Sequence, residues 1–407
     1  DRFIKIGVLV LLLSFYGIFR DNWKNIYIRR ITYIYLVLIV FMAISTMLNF
    51  SMDGLIFFIK YTLKLVIFFI ILYCLHPNYL SDRIIKTMIL IGVIFSLNSI
   101  ILWFSIYMGF EPDISIVSPE RFIRITKFSY LWGDLAYVSG SGFGTMSRAV
   151  GFFEVPSRYG NFMIFPMFVS YGYYVLKKRN IYLFASVLCF VTILLTFSLT
   201  VLLAVIVAIF MNIYFVKANH IKQVKNRPFL IGIVGLLFSL ILIYGIFIFF
   251  QSQYSPGTML FRAGVYESLF RGIVHMSEAF IPDLSLPFGK GMAYMRNGVL
   301  YTPQYGFVRW VMLLGYPGLT LILFFMAYMF KVHVFPALIN KQHRIERYVA
   351  LAFVGQTICD IEEGFWLSTF YLFTVAILVL SKRYEFQDWK SMPPMTQGFI
   401  KNDTGKV

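Results

Sequence analysis

The chain has 407 residues, 59% of them hydrophobic and only 14% charged, with a mean hydropathy of +0.76. A water-soluble domain cannot hide that much apolar surface, whereas a bilayer can, since each apolar run of about 20 residues spans a hydrocarbon core of roughly 30 Å as a helix. The formal net charge of +17 would direct a soluble protein towards nucleic acid, but in a polytopic membrane protein lysine and arginine mark the cytoplasmic loops, and nucleic acid is excluded as a partner.

In chain order the apolar runs predict about eleven spans, at 3–19, 31–50, 55–75, 84–110, 158–176, 181–197, 199–216, 228–250, 307–330, 347–360 and 363–381. The run 181–216 would reach about 54 Å as one helix, so it is divided at "TFSLT" (196–200). The last two spans meet at "CDIEEG" (359–364), an acidic cluster that belongs in water or a polar cavity. The expected class is an all-α polytopic membrane protein, with residues 1–385 as one transmembrane domain. Residues 386–407, containing "SMPPMTQG", read as a disordered cytoplasmic tail.

The connectors orient the threading. "RDNWKNIYIRR", "KKRN", "KANHIKQVKNR" and "KVHVFPALINKQHRIER" fall on one side, together with residues 76–86 and the tail. That side carries 22 Lys/Arg against 6 Asp/Glu, the other about 12 against 13. The bias makes the first side cytoplasmic and supports the division at "TFSLT". It places Asp1 outside and the C-terminus inside. With both ends inside, a further helix would precede Asp1, for twelve in all.

Two connectors, 111–157 and 251–306, are much longer than the rest and both fall on the extracytoplasmic side. Long loops that are not low in complexity usually carry function. In the second, Leu260, Phe261, Val265, Leu269, Ile273 and Val274 recur with helical spacing before Pro282 and Pro287. This predicts an amphipathic helix on the outer membrane surface. No internal repeat supports an inverted-repeat transporter.

The outer face collects Arg121, Arg124, Arg148, Arg158, Arg262, Arg271, Arg296 and Arg309. These run against the topological bias, and guanidinium groups offer a planar fork of donors suited to phosphate. Headgroup contacts or salt bridges are the plainer role for any one of them. Lys60 and Lys64 share a face of the third span. Lys64 lies roughly 14 Å in, where a charge faces a cavity or a partner. Glu154 stands between Arg148 and Arg158 in "SRAVGFFEVPSRYGNF", as a base for an acceptor hydroxyl or as an orienting partner for either arginine. Tyr159, Tyr294, Tyr301 and Tyr305 lie near the outer mouth, suited to stacking on sugar rings. The five histidines form no metal-spaced pair, and Cys74, Cys189 and Cys359 form no C-x-x-C. Neither a phosphate-binding nucleotide loop nor a D-x-D cluster occurs. No metal and no cofactor is expected.

"RAVGFFEVPSRYGNF" resembles the arginine–glycine–aromatic–proline stretch of the bacterial O-antigen polymerase and ligase superfamily. "LLTFSLTVLLAVI" is similar to its hairpin, "LFRAGVYESLF" to the stretch bearing the arginine of the large periplasmic loop, and "LPFGKGMAYM" with "FVRWVMLLGYPGLTLIL" to its two glycine motifs. The matches run in order from about 147 to 330. The resemblance implies a glycosyltransferase C-type fold in the bacterial plasma membrane, its active face extracytoplasmic. It implies metal-independent joining of glycans carried on undecaprenyl diphosphate. The family's functional arginines map to Arg148 or Arg158 and to Arg262, with Glu154 the first candidate for a base. Lys64, Arg271, Arg296, Arg309, Tyr159 and Tyr305 would bind the lipid-linked oligosaccharide, and a chain-length regulator protein is a further partner to expect. Two residues depart from the pattern. Leu199 stands where the hairpin carries arginine, and Gln304 where ligases carry histidine. The second departure favours a Wzy-type polymerase over a ligase; a lipid-linked glycan flippase is the rival from another class.

Overall fold

The computed structural model describes residues 23–74, 84–108, 147–151, 153, 156–218, 288–289, 306–339, 345–363 and 369–381, with strands at 114–118, 123–127, 134–138, 295–296 and 299–300. The first helices are α1 (Ile26–Leu48), α2 (Met52–Cys74) and α3 (Ile85–Tyr107). After a four-stranded sheet come α4 (Pro156–Lys177), α5 (Asn180–Leu195) and α6 (Leu199–Ala218). The last group is α7 (Gly306–Met329), a π-helical turn (Phe330–Val334), α8 (Phe335–Ile339), α9 (Ile345–Glu363) and α10 (Thr369–Ser381). Each expected span from 31–50 onwards, apart from 228–250, falls on a helix of this series. The segments 3–19 and 228–250 lie outside the described residues, as do the amphipathic segment before Pro282 and the tail.

The chain is mostly helical, and among the described residues 4 stretches are long and apolar enough to cross a membrane: Ile26–Leu48, Met52–Tyr73, Ile85–Ser105 and Leu313–Ile339. The distribution of side chains is that of a protein in lipid. On α2, Leu65, Phe68 and Leu72 face inwards while Ile56, Ile59, Leu63, Val66 and Ile67 are exposed. Polar groups such as Thr32, Ser45, Ser96, Ser99, Asn161 and Asp360 are buried between helices. A backbone with no water around it satisfies its hydrogen bonds within each helix, which leaves apolar side chains to face outwards.

The expectation of an all-α chain is corrected in the first long connector. Strands β1 (Ile114–Ser118), β2 (Ile123–Lys127), β3 (Asp134–Val138) and β4 (Ser147–Gly151) form an antiparallel meander in sequence order. Ile114 pairs with Lys127 and Ile123 with Val138, with an irregular register between Asp134 and Leu135. "ISIVS" and "IRITK" each hold three β-branched residues in five, the composition that strands favour. A long segment outside the helices still has to pair its backbone groups, and a meander does so locally. β4 packs against α3 and α4, with Ala149 fully buried. A short hairpin, β5 (Met295–Arg296) and β6 (Val299–Leu300), lies in the second long connector.

α4 is the hub. It packs against α3, α5 and α9 and is buried on nearly every side from Tyr159 to Tyr173. Small residues allow the close approaches. A Cβ on Gly92 of α3 would stand 2.6 Å from Pro166 Cβ, and one on Gly172 would stand 2.5 Å from the Tyr348 ring of α9. The division at "TFSLT" is present: α5 ends at Leu195, Phe197 takes a left-handed φ of 46°, and α6 begins at Leu199. This turn packs on Gly160 of α4, where a Cβ would meet Val201 at 3.0 Å.

α7 is broken at Gly315, whose φ of 66° and ψ of −161° are not helical. Pro317 has no N–H to give to Leu313 O, four residues back. Ser45 of α1 supplies that hydrogen bond from its hydroxyl instead. One turn on, Asn49 donates to Gly289 O at 3.1 Å. The glycine-rich motifs thus dock their backbones on the end of α1.

Candidate functional site

The site is built around the first turns of α4. Pro156 opens the helix, a position where the missing N–H costs nothing. Arg158 and Asn161 follow three residues apart and share a face. Arg158 is half-buried. Asn161 is 6% exposed and donates its Nδ2–H to Asp360 Oδ1 at 3.0 Å. Asp360, on the last turn of α9, is wholly buried. One turn before it on the same face, Gln356 donates its Nε2–H to the Asn161 carbonyl at 3.3 Å. α4 and α9 are therefore joined by two amide hydrogen bonds, one ending on the Asp360 carboxylate and one on the Asn161 main-chain carbonyl.

Further hydroxyls complete the polar band. Tyr371 of α10 lies 3.4 Å from Thr357 Oγ1 and donates towards Met326 Sδ at 3.6 Å. Tyr35 of α1 packs its ring on Phe68 and Phe325 at centroid distances of 5.0 and 5.3 Å. Tyr35 and Tyr371 both lie within electrostatic reach of Asp360. A buried carboxylate is costly unless it is hydrogen-bonded, and Asn161 supplies one such bond here.

Of the two settings expected for "CDIEEG", water or a polar cavity, Asp360 takes the buried polar one. The helix runs through it to Glu363, and Asp360 turns into the protein. Asn161 was missed. Its signal was an amide five residues into an otherwise apolar helix, a short distance beyond Arg158.

The expected site residues are dispersed. Arg148 lies in β4 opposite Ala136, on the strand that packs against α4. Arg296 lies in β5, paired with Val299, and Arg309 on the first turn of α7; the side chains of all three are outside the described part. Glu154, Arg262, Arg271 and Tyr305 lie outside the described residues. Lys64 is half-buried on α2, its Nζ 5.2 Å from the centroid of the Tyr61 ring.

Tyr159 is a second correction. It is fully buried instead of presented at the mouth. Its hydroxyl donates to Phe95 O at 2.8 Å and lies 2.7 Å from Ser99 Oγ. Its ring stacks on Phe153 at 5.6 Å and lies under Gly151, where a Cβ would stand 2.9 Å from it. Helical geometry explains the change: Tyr159 sits one residue round from Arg158, on the face that meets α3. It holds the turn between β4 and α4 in place, and through it the position of Arg158.

Compared with known proteins, the chain matches no family model, no curated protein and no solved structure.

Proposed function

We propose that the chain is a Wzy-type polymerase of glycosyltransferase C-type fold, with about eleven spans. It would join undecaprenyl-diphosphate-linked repeat units into O-antigen or capsular polysaccharide on the outer side of the bacterial plasma membrane. The observation that carries the reading is Arg158. A fixed guanidinium stands half-buried at the N-terminus of α4, against the strand that bears Arg148 and one turn from the buried Asn161–Asp360 pair. The helix N-terminus adds its own positive end, a setting that favours a diphosphate.

In this reading the anomeric C–O bond to the diphosphate breaks as the acceptor hydroxyl of a second lipid-linked unit forms the new glycosidic bond. Arg158, with Arg148 and Arg262, stabilises the charge that develops on the departing diphosphate. Glu154, between the two arginines in the chain, takes the acceptor proton. The ordered motifs of the sequence support the same reading.

The test is the surface glycan of cells carrying Arg158→Ala. Membrane insertion at the wild-type level with single repeat units in place of a ladder is the expected result. A normal ladder would refute the assignment of Arg158. A complete ladder held on the lipid carrier in a deletion strain would mean a ligase. The buried Asp360 favours a second reading, a lipid-linked glycan flippase, because carriers keep charges inside the bundle. In that case deletion would leave no repeat unit outside.

A further inference from the structure

α6 and α9 meet near one end of the bundle through an arginine. Arg347, on the first turn of α9, is only 4% exposed. Its Nε–H donates to Asn212 Oδ1 at 2.9 Å and its Nη2–H to Asn212 O at 3.2 Å. Both acceptors are neutral, so they satisfy the donors without balancing the charge. Among the described residues no carboxylate pairs with this guanidinium, its chain neighbour Glu346 included, and Tyr348 is the titratable side chain within electrostatic reach. Nη1 meets no acceptor among the described residues, yet it is not one of the enclosed polar atoms. It therefore lies at the surface of the α6–α9 contact.

That surface has an apolar part and a basic part. On α6, Phe210, Ile213 and Tyr214 flank Asn212 and are exposed, as a helix face against acyl chains would be. Tyr348 packs its ring on Tyr171 at 5.9 Å and lies against Gly172, which brings the last turns of α4 beside the first turn of α9. α4 ends at Lys177, and Lys178 and Arg179 follow it, all three exposed. The charge bias of the connectors makes this end the cytoplasmic one. A buried guanidinium held by neutral partners is costly, and a phosphate oxygen relieves it by accepting from Nη1 and supplying the opposite charge. A phosphodiester on a glycerol lipid suits both parts together, and basic places between helices on the cytoplasmic side bind such headgroups.

We propose that Arg347, held by Asn212, is the centre of a binding site for an anionic phospholipid. The phosphate accepts from Nη1, the acyl chains lie along the exposed face of α6, and Lys178 and Arg179 add attraction for the headgroup. The site is at the opposite end of α4 from Arg158 and stands independently of the glycosyl-transfer reading.

The test uses the full chain, purified in a nonionic detergent and titrated with phosphatidylglycerol or phosphatidylcholine, with bound lipid counted by native mass spectrometry. Phosphatidylglycerol should reach half-occupancy at a concentration about tenfold below that of phosphatidylcholine. Arg347→Gln should raise the phosphatidylglycerol requirement about tenfold, as expected for loss of one charge-assisted hydrogen bond, and leave phosphatidylcholine unchanged. If Arg347→Gln does not fold, phosphatidylglycerol carrying a diazirine on its acyl chain decides alone. It should label α6 at Ile213 or Tyr214, and unlabelled phosphatidylglycerol should compete where phosphatidylcholine does not. Equal binding of the two lipids, an unchanged requirement in Arg347→Gln, or labelling that misses α6 would each overturn the proposal. So would inorganic phosphate that displaces phosphatidylglycerol at an equal concentration, which would make this a site for a soluble anion.

Discussion

The hydrogen bond from Asn161 to Asp360 makes the sharpest energetic prediction. It joins residues 199 apart in the chain, is 3.0 Å long and lies in a wholly buried place. Asn161→Leu removes the donor and leaves the carboxylate with one fewer partner. Asp360→Leu removes the acceptor and leaves the amide unpaired. The double variant removes both and leaves neither orphaned, so it should be less destabilised than the two single changes summed. A bond to a charged acceptor contributes about 1.5–3 kcal/mol, while neutral bonds between membrane helices average about 0.6 and reach about 1.7 kcal/mol. A buried charged acceptor puts the expected coupling at about 2 kcal/mol. Reversible unfolding by sodium dodecyl sulfate titration in mixed micelles measures all four proteins. A coupling at or below about 0.6 kcal/mol would refute the claim that Asn161 holds a charged Asp360.

Other changes test the packing that positions the site. Ser45→Ala should destabilise the protein by about 1–2 kcal/mol in the same titration, because Pro317 cannot replace the lost donor to Leu313 O; an unchanged midpoint would show that the broken helix does not depend on α1. Gly92→Ala should cost about 1–3 kcal/mol, since its Cβ meets the Pro166 ring at 2.6 Å, whereas Gly355→Ala, facing Ile164 Cγ2 at 3.0 Å, should cost less. The reverse order would contradict the close approach of α3 and α4. Gly151→Ala forces a side chain into φ +60° and towards the Tyr159 ring. It should cost about 1–2 kcal/mol from the backbone alone and, under the proposed polymerase function, lower polymer yield by displacing Arg158; a thermal scan alongside the glycan gel checks both.

The sequence by itself located the described helices and the turn between α5 and α6. Crossing a membrane depends on the run of apolar residues along the local chain, and a helix satisfies its own backbone without help from elsewhere. The run 181–216 was too long for one crossing, and "TFSLT" was where it could turn. The arginine at the start of α4 was legible for the same reason, as a charge at the end of an apolar run. What only the tertiary structure decided is which polar groups face one another. Asp360 looked like part of an acidic connector until α9 carried it against Asn161. Tyr159 looked like an exposed ring until α3 and Gly151 closed over it. The meander at 114–151 depends on pairing between strands, and its register comes from contacts that hydropathy does not record. Such pairings depend on how closely helices approach, and here Gly92, Gly160, Gly172 and Gly355 set that approach. A glycine in a sequence does not say which neighbour will fill its notch, so the site that rests on those notches appears only once the helices are packed.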